Sequence, residues 1–160
     1  MMCFLLDHGM RVSEVSLLKI EDIDLEKKQI TFYRPKTGKT SRHNLRGRVW
    51  EHLVEYLAKD NCAGRGILIL SSCKTGALVK GKGMTIRAIN ERVGQLGNAV
   101  DMKSLSPHDC RHYGATKSGN DPDVSLAGLM SWGGWSSAQS AAHYINRGEA
   151  ENDGVALGLE

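Results

Sequence analysis

Residues 106–112 (SPHDCRH) put proton exchange and a fixed positive charge within one helical turn. The segment reads as a helix start, with a capping Ser106, Pro107 at the first helical position and Asp109 three residues after the cap. On that helix His108 and Arg111 share a face close to the N-terminus. A helix N-terminus offers free N–H groups and the positive end of the helix dipole, which suits a phosphate. Arg adds a planar, permanently charged fork, and His trades a proton near neutral pH. For an isolated H-x-x-R the better explanation is a capping His and an ion-paired Arg. His108 and His112 also have the spacing of the H-E-x-x-H zinc helix, but Asp109 stands where that motif has Glu. No third ligand is evident from spacing, and Cys110 points about 100° round the helix from its neighbours, so no metal is expected.

The chain has 160 residues, with 21 Lys plus Arg against 18 Asp plus Glu, a net +3. That length suits one folded domain, and 41% hydrophobic with 24% charged residues excludes collagen-like, coiled-coil and wholly disordered readings. No apolar run approaches the roughly 20 residues of a membrane-spanning helix, and residues 1–6 lack the features of a signal peptide. The four cysteines, without a C-x-x-C pair, indicate reduced thiols rather than a disulfide framework or zinc ribbon. The net charge hides an asymmetry. Residues 27–48 hold eight Lys or Arg and no acid, and residues 74–87 hold four and no acid, which leaves −9 for the rest. Two basic segments on an otherwise acidic chain point towards a polyanion-facing surface; solvated Lys-rich loops are the plainer alternative.

The elements that must position these groups are mostly helical. Helical spacing is expected over 12–18, 47–58 and 84–100, and from Pro107 onward. Asp121-Pro122 is expected to open a helix through about Met130, and a capping box at Ser136–Gln139 another through Tyr144. Residues 29–34 and 42–45 flank a Pro-Lys-Thr-Gly-Lys turn and read as a hairpin, with residues 66–71 as a third, buried strand. The expected fold class is α+β, mainly helical with a small three-stranded antiparallel sheet.

Read in order, the chain carries Gly9-Met10-Arg11-Val12-Ser13-Glu14, Pro35-Lys36-Thr37-Gly38-Lys39, His108-Asp109-Cys110-Arg111-His112, Gly134-Trp135-Ser136-Ser137 and Tyr144. This resembles the catalytic domain of the tyrosine site-specific recombinases, the phage integrase family, over residues 4–146. The family's boxes read G-[LM]-R-x-S-E, H-D-x-R-H and G-[HW]-x-S, with a tyrosine nine residues after the His or Trp, the separation of Trp135 from Tyr144. The resemblance implies the DNA breaking-rejoining fold and an enzyme that joins DNA to Tyr144 through a 3′-phosphotyrosyl link. Arg11 and Arg111 would clamp the non-bridging oxygens, with Glu14 holding Arg11. Lys36 would protonate the departing 5′-oxygen, with Lys39 its rival. His108 would take part in proton transfer, Trp135 would donate its indole N–H to a phosphate oxygen, and His112 would support the site.

No cofactor or metal is implied, because the phosphotyrosyl bond conserves the energy of the cut strand. The expected partner is double-stranded DNA, contacted by Arg34, Lys39, Arg42, Arg46, Lys80 and Lys82. The family works as a tetramer on DNA, although a monomer suits a lone catalytic domain. The resemblance further implies DNA integration and recombination by a cytoplasmic protein, bacterial or phage-encoded. Family members carry an N-terminal DNA-binding domain, and Arg11 here lies ten residues from the start. Residues 1–147 are therefore expected to be an N-terminally truncated catalytic domain, followed by an acidic tail, residues 148–160. A non-catalytic DNA-binding or regulatory remnant is the alternative, and a type IB topoisomerase fits the box spacing less well.

Overall fold

The computed structural model describes residues 1–58 and 64–145; the expected acidic tail lies outside them. The order of elements is α1 (Met2–Leu6), α2 (Val12–Leu17), β1 (Ile23–Asp24), β2 (Gln29–Arg34), β3 (Lys39–Asn44) and α3 (Gly47–Ala58). Then come β4 (Leu70–Ser72), β5 (Leu78–Gly83), α4 (Ile86–Asn98), α5 (Pro107–Gly119), α6 (Leu126–Gly133) and α7 (Ala138–Ala142). The α+β class holds. Leu5, Met10, Val15, Ile30, Ile89 and Val93 are fully buried, and they join α1, α2, β2 and α4 in one core. Among the described residues no helix is long and apolar enough to cross a membrane.

The three-stranded sheet has a different third member from the one expected. Its order is β1-β2-β3, antiparallel throughout, with Ile23 opposite Ile30 and Asp24 opposite Gln29. The apolar run at 66–71 is buried at Leu68, Ile69 and Leu70, as its composition requires, but its backbone is divided between two partners. Leu68 N donates to Leu18 O at 2.8 Å, and Leu70–Ser72 pairs with β5 in a separate two-stranded sheet. Period-2 alternation in β2 turns Ile30, Phe32 and Arg34 to the inner face and leaves Tyr33 outside.

The three helix starts expected in the C-terminal half have different outcomes. Ser106 caps α5 as expected: its Oγ accepts from Asp109 N, while Asp109 Oδ2 accepts from Ser106 N at 2.9 Å. Asp121-Pro122 does not open α6. The Asp121 carboxylate instead accepts from Asp123 N at 3.0 Å, a local turn that competes with helix, and Ser125 takes the capping place. The box at Ser136–Gln139 does not form either. Ser137 starts α7 without a side-chain hydrogen bond, and α7 ends at Ala142.

The joint between α1 and α2 is where the C-terminal helices dock. Gly9 has φ +54, and a Cβ there would enter the Trp132 ring. That ring is held by its own indole N–H, which donates to Asp7 O at 3.0 Å. On α5, Gly114 lies against the Leu6 carbonyl with no room for a side chain, so α5 crosses the end of α1 at close range. Gly9→Ala is expected to cost about 2–4 kcal/mol, combining left-handed strain with overpacking against Trp132. Gly38→Ala, at φ +65 with no neighbour within 4 Å, should cost only about 1 kcal/mol. Urea unfolding of the two variants beside wild type measures the difference.

Candidate active site

Glu14 lies in the first turn of α2 with a fully buried side chain. Its carboxylate closes the helix start, accepting from Arg11 N at 2.8 Å, and also accepts from Arg11 Nη1 at 2.9 Å. A second guanidinium reaches it from β2, with Arg34 Nη1 at 3.2 Å from Oε2. Arg11 remains partly exposed, whereas Arg34 is completely buried. One carboxylate thus holds two arginines from different elements.

The C-terminus of α6 closes the other side. The last carbonyls of a helix have no partner within it and carry the negative end of its dipole. Here two arginines supply the donors. Arg34 Nη2 donates to Trp132 O at 2.7 Å, and Arg111 Nη2 donates to Gly133 O at 2.6 Å. Arg111 Nη1 donates to Gly9 O, tying α5 to the α1–α2 joint. Gly134 ends α6 with φ +64, so Trp135 N can turn back to Met130 O at 2.9 Å. A Cβ on Gly134 would strike the Arg34 guanidinium.

This turn delivers Trp135 to the remaining groups. The Arg111 Cζ lies 5.0 Å from the Trp135 ring centroid, and Trp135 stacks on Tyr144 at 5.1 Å and 27°. The Tyr144 ring also meets His112 at 5.2 Å, and His112 meets His108 at 4.1 Å. The Tyr144 backbone is seated by Ala141 O, 3.0 Å from its N–H, and by Gly119, which leaves no room for a side chain against the Tyr144 carbonyl. Arg11, Glu14, His108, Arg111, His112, Trp135 and Tyr144 therefore form one connected cluster. Lys36 and Lys39 flank it from the β2–β3 turn, exposed, on a cleft of about 440 Å³ shared with Ser131, Trp135 and Ser136. Both lysines line that cleft.

The other basic positions divide. Arg42 and Arg46 are exposed on and just after β3, and Lys80 and Lys82 are exposed on β5 in the second sheet. Arg34 corrects the expectation of a DNA-contacting side chain. It has no exposed surface, and its donors go to Glu14, Ser41, Trp132 and Gly133. The period of β2 could have shown this, because Arg34 falls in register with Ile30 and Phe32. Trp132, His8 and His43 also went unnoticed in the sequence.

Burial and then the neighbouring Arg11 push the Arg111 pKa down to about 10, still charged at neutral pH. Burial lowers that of Arg34 too, with Glu14 opposing. Three guanidiniums against one carboxylate leave a local excess of positive charge, a field that favours an anion. His108 and His112 meet Nε2 to Nε2 at 2.6 Å, so one ring donates and the other accepts. Burial and then His108 lower the His112 pKa. His8, from the α1–α2 joint, and His43, on β3, stack at 5.4 Å with Nδ1 atoms 3.3 Å apart. Burial holds their pKa values at about 4 and about 3.

Residues 1–151 match the model of the phage integrase family. No curated protein sequence matches the chain. Among solved structures, the Tn1549 transposon integrase in complex with a circular intermediate DNA matches with a TM-score of 0.74 at 20% identity. That match covers 91% of this chain and 53% of the other. XerA recombinase matches at 0.72 and 22% identity, covering 94% and 53%. XerH recombinase bound to its difH substrate matches at 0.68 and 22% identity, covering 92% and 42%. The chain thus spans about half the length of these proteins or less, and the likeness is one of fold.

Two outcomes follow from the buried charges. Glu14→Gln leaves the guanidiniums without their counter-charge and is expected to cost about 3–5 kcal/mol in urea unfolding. The buried histidines are bases with depressed pKa values, so the native protein binds fewer protons than the unfolded chain. Stability is then complete above about pH 6.5 and falls towards pH 4 by up to about 1.4 kcal/mol per pH unit for each proton. Replacing His8 by Gln should flatten that fall, read from unfolding curves across the range.

Proposed function

The chain belongs to the phage integrase family, and from that premise we propose that it cuts and rejoins double-stranded DNA by transesterification at Tyr144. The observation that carries this reading is a linked set of three guanidiniums, Arg11 and Arg34 on the buried Glu14 and Arg111 on the Gly133 carbonyl it shares with Arg34, beside the ring stack that holds Tyr144. The Tn1549 integrase and XerH structures are both complexes with DNA, which supports the same partner here.

In the proposed reaction the Tyr144 oxygen bonds to the scissile phosphorus and the bond from phosphorus to the 5′-oxygen breaks. The tyrosine proton leaves towards the His108–His112 pair, which already shares one hydrogen bond and can pass a proton along it. Arg11 and Arg111 take the non-bridging oxygens, where negative charge grows in the pentavalent transition state. Their forks suit this, because Arg11 is held by Glu14 and Arg111 by the Gly9 and Gly133 carbonyls, and neither can reorganise far. Trp135 offers its indole N–H, which has no hydrogen-bond partner among the described residues. Indole donates without exchanging the proton, so the proton for the 5′-oxygen falls to Lys36, or to Lys39 in the same cleft. Rejoining reverses these steps and needs no cofactor.

Lys36, Lys39, Arg42, Arg46, Lys80 and Lys82 form the proposed phosphate-contacting face, without Arg34. Residues 1–147 serve as the catalytic unit with 148–160 as its tail, self-associating on DNA in the cytoplasm.

The test incubates the protein with nicked duplexes randomised across the cut region, in which release of a short 5′ fragment traps the covalent product. A denaturant-resistant protein–DNA band is expected, with Tyr144→Phe losing it while keeping duplex affinity. Lys36→Ala should slow its formation about 100-fold or more, and Lys39→Ala much less. Duplex binding with no covalent band from the wild-type protein would make this a DNA-binding remnant.

A further inference from the structure

Within residues 27–48, Arg34 is the basic residue that DNA cannot reach, and its contacts give it another place. Its Nε donates to Ser41 Oγ on β3 at 2.6 Å, its Nη1 reaches Glu14 on α2, and its Nη2 donates to Trp132 O at the end of α6. Gly133 O accepts from Arg34 at 3.4 Å and from Arg111 at 2.6 Å, so the two arginines share one acceptor. The main chain of Arg34 contributes as well. Its carbonyl accepts from Thr37 N at 3.1 Å and Gly38 N at 2.9 Å, the bonds that shape the turn carrying Lys36.

We propose that Arg34 is a positioning residue, holding Arg11, Arg111 and the Lys36 turn in one frame; this rests on the cleavage reading above. It reaches Arg11 through the shared Glu14 carboxylate, Arg111 through the shared Gly133 carbonyl, and Trp135 through the α6 terminus that Gly134 opens for it. Only a guanidinium fits that task. Its donors diverge in one plane and meet three elements at once, whereas an ammonium is a point charge on a flexible stem. The packing is shaped for it: Phe32 lies 4.7 Å beneath Cζ, and Gly134 has no side chain to collide with it.

The test variant is Arg34→Lys in the full chain, which keeps a positive charge beside Glu14 and loses the fork. Two readouts go with it. In the free protein, NMR exchange of the Arg11 and Arg111 guanidinium protons is expected to speed up by about tenfold or more as their shared acceptors loosen. On a nicked duplex recovered as above, single-turnover adduct formation is expected to slow about 100-fold at unchanged DNA affinity. That deficit should shrink to a few-fold on the same duplex with a neutral methylphosphonate at the cut position, because the charge the arginines offset is gone. A purely structural role would slow both substrates alike. Should Arg34→Lys fail to fold, Ser41→Ala removes only the Nε acceptor and should show the same pattern at about threefold to tenfold. Unchanged guanidinium exchange, or equal loss on charged and neutral substrates, overturns the positioning role. Absence of any adduct from the wild-type protein overturns the cleavage reading instead, and guanidinium exchange then decides on Arg34 alone.

Discussion

A carboxylate removed from water must be paired, and the buried Glu14 sets the terms for everything around it. It sits at the third helical position of α2, where it closes the helix start through Arg11 N and holds the Arg11 fork with its other oxygen. Its second ion pair draws Arg34 inward from β2. Arg34 in turn needs acceptors for its other donors, and the exposed carbonyls at the end of α6 supply them. The α6 terminus then fixes the turn at Gly134 and the position of Trp135. A local helix-capping interaction thereby propagates through two buried forks to the ring that stacks on Tyr144.

The same arrangement explains why the site is electropositive without being a surface patch. Positive charge on a solvated loop is screened within about a Debye length, whereas buried guanidiniums act through a medium that screens little. Arg111 and Arg34 keep their charge against burial because carbonyls and one carboxylate surround them. The exposed lysines of the β2–β3 turn and of β5 extend that field outward. Under the proposed function, steering of a polyanion and stabilisation of charge at one phosphate would fall to different residues.

Legibility in the sequence tracked distance along the chain. The Ser106–Asp109 cap was readable because both partners lie within one turn, and the helices carrying Ile89, Val93, Val49 and Leu53 were readable from period alone. The run at 66–71 shows that it is buried but not what it pairs with: one partner, Leu18, is remote in sequence, and the other, β5, is near but does not read as a strand. The strand Leu78–Gly83 was read for its lysines and not as a strand, because two glycines and two charges mask its alternation. Arg34 is misassigned although the alternation of β2 turns it inward with Ile30 and Phe32. Its charge suggested DNA, and the partner that buries it is Glu14, twenty residues away. The order of the boxes revealed the family, but only the folded chain brings them together.

The proposed function places one phosphate between the guanidiniums of Arg11 and Arg111. The most direct measurement of that placement is a crystal structure of the Tyr144→Phe protein on an uncut duplex. The expected result is one phosphate with its non-bridging oxygens within hydrogen-bond distance of both guanidiniums. That phosphate should face the substituted ring at position 144 and the Lys36 turn, with Arg34 still buried on Glu14. A duplex seated on the exposed lysines, with no phosphate in reach of Arg11 and Arg111, would contradict it.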